Sequence, residues 1–203
     1  LRLINNPWGM RLLNALKQQA GRVEGHQGWH EQTHAAFNFL LDFVPNWKFA
    51  YGRKPGHGLI QYQVFLPAEV AHDTFLEILG LCQHQGHVPF LGVFKRHRPD
   101  PFWMTHALDG WSMAMDFKVT PASRMDLWQT CDRLTRVVLD AGGKFYFAKD
   151  SLMGHEAMVR AFPEAKREAF LALKRETDPG GLLETDLWRR IFTSSSSLTD
   201  GVA

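Results

Sequence analysis

Between Leu59 and Leu66 the chain alternates, with Ile60, Tyr62, Val64 and Leu66 to one side and Gln61 and Gln63 to the other. That period of two predicts a strand with one apolar face. The period then changes. After Pro67, residues Ala71, Phe75, Ile78, Leu79 and Cys82 recur at helical spacing up to Gly86, which predicts a helix with one buried stripe. Val88 to Lys95 reads as a second strand, and Arg96 to Asp109 as a proline-containing loop. Gly110 to Val119 is a third strand, with Trp111, Met113, Met115 and Phe117 on one face and Ser112, Ala114 and Asp116 on the other. Thr120-Pro121 opens a second helix striped by Met125, Trp128, Cys131, Leu134, Val138 and Ala141. Gly142-Gly143 closes it, and Lys144 to Ser151 returns as a fourth strand.

This order, β-α-β-β-α-β, predicts an α+β fold: an antiparallel sheet with both helices on one face, a ferredoxin-like core over about residues 59–148. The expected strand order is fourth, first, third, second. The helices must cover the apolar faces of strands one and three, so Gln61, Gln63, Ser112, Ala114 and Asp116 share the opposite face. Lys149, at the end of strand four, and Lys95 then flank that face. Two readings of it stand side by side. A polar sheet face is ordinarily the solvated one, but paired glutamines and small residues between two cations also suit a ligand-facing surface.

Outside this core the pattern is weaker. Residues 6–19 carry Trp8, Leu12, Leu13 and Leu16 at helical spacing, and Gly21 to Gly28 reads as a loop. Ala35 to Val44 is a second apolar segment, followed by an irregular stretch to Gly58. Gly154 to Phe162, Pro163 to Thr177 and Leu187 to Phe192 read as helices. The expected organisation is thus a helical lead-in over 1–58, a domain over 59–192, and a disordered serine-rich tail over 193–203.

Composition narrows the function classes. A net charge of +2 on 203 residues, without a block of like charges, gives no surface for a nucleic-acid partner. The apolar run Phe37–Val44 is broken by Asn38 and Asp42, so no transmembrane segment is predicted. Cys82 and Cys131 both fall in helical patterns, where two buried free thiols fit a reducing, cytoplasmic location.

His30-Glu31-Gln32-Thr33-His34 matches a zinc-hydrolase pattern, in which two histidines one helical turn apart hold the metal. Glycine-rich Gly25–Gly28 precedes it instead of an apolar helix face, and no third ligand is indicated. No metal is therefore expected. Phosphate-cradling and nucleophile-elbow glycine motifs are absent.

Several motifs in register carry a resemblance: Gln61-Tyr62-Gln63 ahead of Pro67, Val93-Phe94-Lys95, Gly110-Trp111 through Asp116-Phe117, Ala148-Lys149-Asp150-Ser151, Asp178-Pro179, and then Asp186 with Arg189-Arg190. From about Phe39 to Phe192 the chain resembles the carboxy-terminal half of FAD-linked oxidoreductases of the vanillyl-alcohol-oxidase superfamily. The resemblance implies a substrate-binding cap laid over a flavin held mainly by an amino-terminal FAD domain, which has no counterpart here. Lys149 matches the lysine at flavin and substrate, a catalytic and cofactor-binding position. Gln61, Gln63 and Lys95 match residues lining the substrate pocket. Ser112 stands where mycobacterial members carry an asparagine, and Ala114 where they carry a cysteine. The implied parent oxidises a secondary alcohol of a sugar or polyol, with a reductase as one further partner, and this chain alone is expected to be inactive. The rival reading is a non-catalytic binding or dimerisation module that docks through the bare sheet face.

Overall fold

Residues 7–24, 31–42, 55–89, 91–149 and 152–192 are described in the computed structural model. Two compact units make up the chain, one of Leu1–Leu59 with Lys118–Ala122 and one of Ile60–Phe117 with Ser123–Ala203.

In the first unit, helix α1 spans Pro7–Glu24 and α2 spans His34–Asp42. The first runs straight through Gly21, which the glycine content had marked as loop. Its stripe is not packed: Trp8 is 78% exposed, Leu12 63% and Leu16 61%. Thr33 starts α2, its hydroxyl accepting the Ala36 amide at 3.2 Å, the usual N-cap satisfaction of an orphan donor. Glu31, Gln32 and Thr33 therefore precede the helix. The one-turn helical spacing that a zinc pair needs is not formed upstream of His34, and His30 itself lies outside the described residues. No group of three metal-ligating side chains occurs among the described residues.

The second unit holds the sheet. Strand β1 (Gly58–Pro67) is followed by α3 (Ala71–His84), β2 (Leu91–His97), β3 (Gly110–Val119), α4 (Arg124–Asp140) and β4 (Lys144–Phe145). The strand order is β2-β3-β1-β4, the antiparallel order that the β-α-β-β-α-β pattern predicts. Three further helices follow: α5 (His155–Ala161), α6 (Glu164–Thr177) and α7 (Asp186–Phe192).

Both core helices lie on the apolar sheet face. Phe75 of α3 meets Phe94 edge-on at 5.3 Å, and the Thr135 hydroxyl of α4 bonds the Tyr62 hydroxyl at 2.9 Å. Between them Val64, Leu66, Ile78, Met115, Leu127, Leu134 and Val138 are buried, each contributing about 1.5–3 kcal/mol of apolar burial. The stripe of α4 departs from the expected one only in its first turns: Leu127 and Thr130 are buried and Met125 is exposed, while Cys131, Leu134 and Val138 are buried as expected.

Each helix ends on a left-handed glycine, Gly86 (φ 74°) and Gly142 (φ 70°). The Gly86 and His87 amides donate to Gln83 and Cys82, and the Gly142 and Gly143 amides to Leu139 and Val138. These are paired closing bonds that side chains with a Cβ adopt only with strain.

Candidate functional site

Register places the site. In the β2–β3 ladder Leu91 faces Asp116, Val93 faces Ala114, Lys95 faces Ser112 and His97 faces Gly110. Opposed residues of an antiparallel pair share a face, so this set lies opposite the helices, as alternation predicts for Ser112, Ala114, Asp116 and Lys95. On β1 the same face carries Gln61, Gln63 and Phe65. Side chains tie the strands: the Gln61 amide donates to the Asp116 carboxylate at 2.6 Å, and the Gln63 amide to the Ser112 hydroxyl at 3.3 Å.

The face is not bare. Ser112, Ala114, Asp116 and Gln63 are all buried, so the centre of the sheet is neither a solvated surface nor an open docking face. One buried atom is left over. The Gln63 carbonyl oxygen has no hydrogen-bond partner among the described residues, and an unpaired buried acceptor costs about 1–3 kcal/mol. A ligand donor would offset that cost.

Lys149 reaches the face by a route that strand alternation does not give. Strand β4 consists of Lys144 and Phe145, with Phe65 opposite Lys144 and Val64 opposite Phe145. Lys144 thus takes the polar side and Phe145 the helix side, where it packs edge-on with Tyr62 at 6.2 Å. Had the strand continued, Lys149 would have followed Phe145 to the helix side. Instead the chain turns, the Lys149 amide donating to the Tyr146 carbonyl at 3.1 Å, and the ammonium lies 5.7 Å from the Tyr146 ring centre. Burial and the neighbouring Lys95 lower the Lys149 pKa, opposed by Asp116. Burial raises the Asp116 pKa, opposed by the Gln61 bond and Lys149. Lys149, Lys95 and Asp116 are thus electrostatic neighbours, although Lys95 itself is exposed.

Two residues join the site that the sequence did not single out. His97 bonds the Ser112 hydroxyl through Nε2 at 2.7 Å. His106 packs on Phe65 at 4.5 Å and on Tyr146 at 4.7 Å. The loop that carries His106 is braced by the Thr105 hydroxyl donating to Asp100 at 2.8 Å and by Lys144 donating to the Thr105 carbonyl at 3.3 Å. Beside it lies a cavity of ≈ 700 Å³ lined by Phe102, Trp103, Met104, His106 and Phe170, among others. For His97 a signal existed, since it follows Lys95 by two positions. For His106 none did, because a loop has no period.

Burial lowers the pKa of both histidines, His106 and the Lys95 and Arg96 charges adding to it for His97, and Lys144 adding to it for His106 against Asp100. Between these lowered values and the unfolded value near 6.5 the unfolded chain binds more protons, so stability falls as pH falls through that window. A double His97→Phe, His106→Phe variant should lose much of the decline in melting temperature between about pH 7 and pH 5. Thermal unfolding across that range checks it; an unchanged slope contradicts the burial of neutral imidazoles.

The chain is similar over 161 residues, at 32% identity, to decaprenylphosphoryl-β-D-ribose oxidase of Mycolicibacterium smegmatis, covering 79% of this chain and 33% of that protein. It is 26% identical over 143 residues to an uncharacterised protein encoded in the mprA 5′ region of Streptomyces coelicolor, covering 70% of this chain and 37% of that protein. No protein-family model matches the chain. The chain therefore spans about a third of the length of the relatives it matches. The resemblance carried by the motifs is borne out as similarity to part of an oxidase.

Proposed function

From the similarity of this chain to one third of a decaprenylphosphoryl-β-D-ribose oxidase, we propose that it is the substrate-binding cap of an FAD-dependent oxidoreductase acting on a secondary alcohol of a sugar or polyol. That similarity carries the proposal, and the buried polar sheet face supports it. FAD, held mainly by an amino-terminal domain of the same parent, would supply the hydride acceptor. The donor set fits such a group: a half-buried lysine suits a surface where negative charge develops.

The chain's own residues would then do three things. Lys149 would hold positive charge against the flavin and the reacting oxygen. Asp116 would fix Gln61, while Gln63, with its unpartnered oxygen, would take a substrate hydroxyl. Lys95, Ser112 and Ala114 would complete the wall, Ala114 leaving space and no thiol. The exposed Trp8, Leu12 and Leu16 of α1 suit a surface that the amino-terminal domain covers. In this reading the isolated chain is inactive, a reductase reacting with the ketone product is a further partner, and the location is cytoplasmic. No described helix is long and apolar enough to cross a membrane.

The full-length protein should carry a flavin spectrum, and a sugar alcohol that is a substrate should bleach it anaerobically. A full-length protein that takes up no flavin ends the proposal.

A further inference from the structure

Ser112 has one hydroxyl proton and two close partners. The Gln63 amide nitrogen lies 3.3 Å from its oxygen and His97 Nε2 lies 2.7 Å away. The amide N–H can only donate, so the serine oxygen accepts from Gln63; Ser112 is 0% exposed, and among the described residues His97 Nε2 is the acceptor its own proton can reach. His97 Nε2 must then be bare, with the ring proton on Nδ1. This is the opposite of the tautomer that a free histidine side chain prefers. The chain runs one way, Gln63 to Ser112 to His97, and leaves the Gln63 carbonyl oxygen as its unpaired end. Gln63 is 7% exposed and Ser112 0%, so water does not freely supply the missing donor.

We propose that His97, Ser112 and Gln63 form a directional hydrogen-bond chain that presents the Gln63 oxygen to a ligand hydroxyl, making His97 the residue that selects alcohol over ketone. A hydroxyl donates to that oxygen; a ketone, having only lone pairs, meets it acceptor against acceptor. His97 is a positioning residue here, acting on the ligand through two others. The proposal rests on the reading of this face as a ligand site.

Protonation reverses the chain. With both ring nitrogens donating, Ser112 must accept from His97 and donate to Gln63, whose amide turns and presents its NH2 to the ligand. The ionisable groups facing His97 are Lys95 and Arg96 on its own strand and His106 from the 98–109 loop. Its neighbours Phe65 on β1 and Ser112 on β3 do not titrate in this range. All three ionisable neighbours oppose a second charge, which keeps the alcohol-selecting state at neutral pH.

Ring ¹⁵N shifts of His97 in the 203-residue chain test the direction without any ligand. The Nδ1–H form is expected at pH 7.5, reverting to Nε2–H in Ser112→Ala. An Nε2–H ring in the unmodified chain overturns the proposal, whatever the variants do. Selection is read from titration of the Gln63 side-chain amide signals with cyclopentanol and cyclopentanone, a pair matched in size. Cyclopentanol should bind about tenfold more tightly at pH 7.5, the scale of one hydrogen bond, and the preference should vanish in His97→Phe. A preference that persists in His97→Phe, or equal binding in the unmodified chain, overturns it. No arm uses flavin. Absence of flavin in the full-length protein would thus end the oxidoreductase reading and leave the chain direction standing, and the wrong tautomer would do the reverse.

Discussion

Replacing Lys149 by alanine in the full-length protein should slow flavin reduction by about 10²-fold or more, the scale of losing one positioned electrostatic group. Its ammonium is half-buried, set by the Tyr146–Lys149 turn, and packed 5.7 Å from the Tyr146 ring centre. In the proposed role, a charge fixed in advance needs no reorganisation when negative charge develops beside it, so truncation should remove a contribution made mainly in the transition state. Single-turnover reduction at saturating substrate separates this from binding: the rate constant should fall while substrate affinity changes less. Lys149→Arg keeps the charge on a longer, planar group, and should recover part of the rate. Because burial and Lys95 lower the Lys149 pKa, the unmodified full-length protein should also lose rate on the alkaline side before an ordinary lysine would deprotonate. Normal single-turnover reduction in Lys149→Ala would remove this residue from the mechanism.

Most of the sheet was legible because it obeys a period. Ile60, Tyr62, Val64 and Leu66 alternate without a break, and a β-α-β-β-α-β order leaves little choice of strand order, so β2-β3-β1-β4 followed. Gln61, Gln63, Ser112 and Asp116 share a face for the same reason. Lys149 was expected to flank this face from the end of strand four, and that strand stops at Phe145. Alternation carried past Phe145 would have sent it to the helix side, and only the turn at Tyr146 returns it to Asp116. Burial of the polar face was not legible either. Glutamine, serine and aspartate read as water-facing one at a time, and only their mutual bonds, Gln61 to Asp116 and Gln63 to Ser112, make burial tolerable. The first helix shows the converse: periodicity correctly gives a helix around Trp8, Leu12 and Leu16, but period alone does not say what covers its stripe.

Substituting Gly110 by alanine should destabilise the chain by about 3 kcal/mol or more, at the upper end of overpacking costs. A Cβ at Gly110 would sit 1.9 Å from the Leu66 carbonyl oxygen and 2.5 Å from a Leu108 methyl. The first neighbour is backbone of β1 and cannot turn aside, so the strands themselves must separate. For a chain of this size that corresponds to a fall in melting temperature on the order of 10 °C. Gly92 on β2 is the matched control, since a Cβ there meets nothing within 4 Å. Gly92→Ala should lie within about 0.5 kcal/mol of the parent. The same displacement reaches the site. Gly110 faces His97 and stands two residues before Ser112, while Leu66 follows Phe65 and stands three after Gln63. Parting β1 from β3 must lengthen the 3.3 Å bond from Gln63 to Ser112. Gly110→Ala should accordingly lose the His97 Nδ1–H signature at temperatures where the chain is still folded, and Gly92→Ala should keep it. A Gly110→Ala chain that melts within about 2 °C of the parent would show that β1 and β3 do not approach as closely as the 1.9 Å clearance requires.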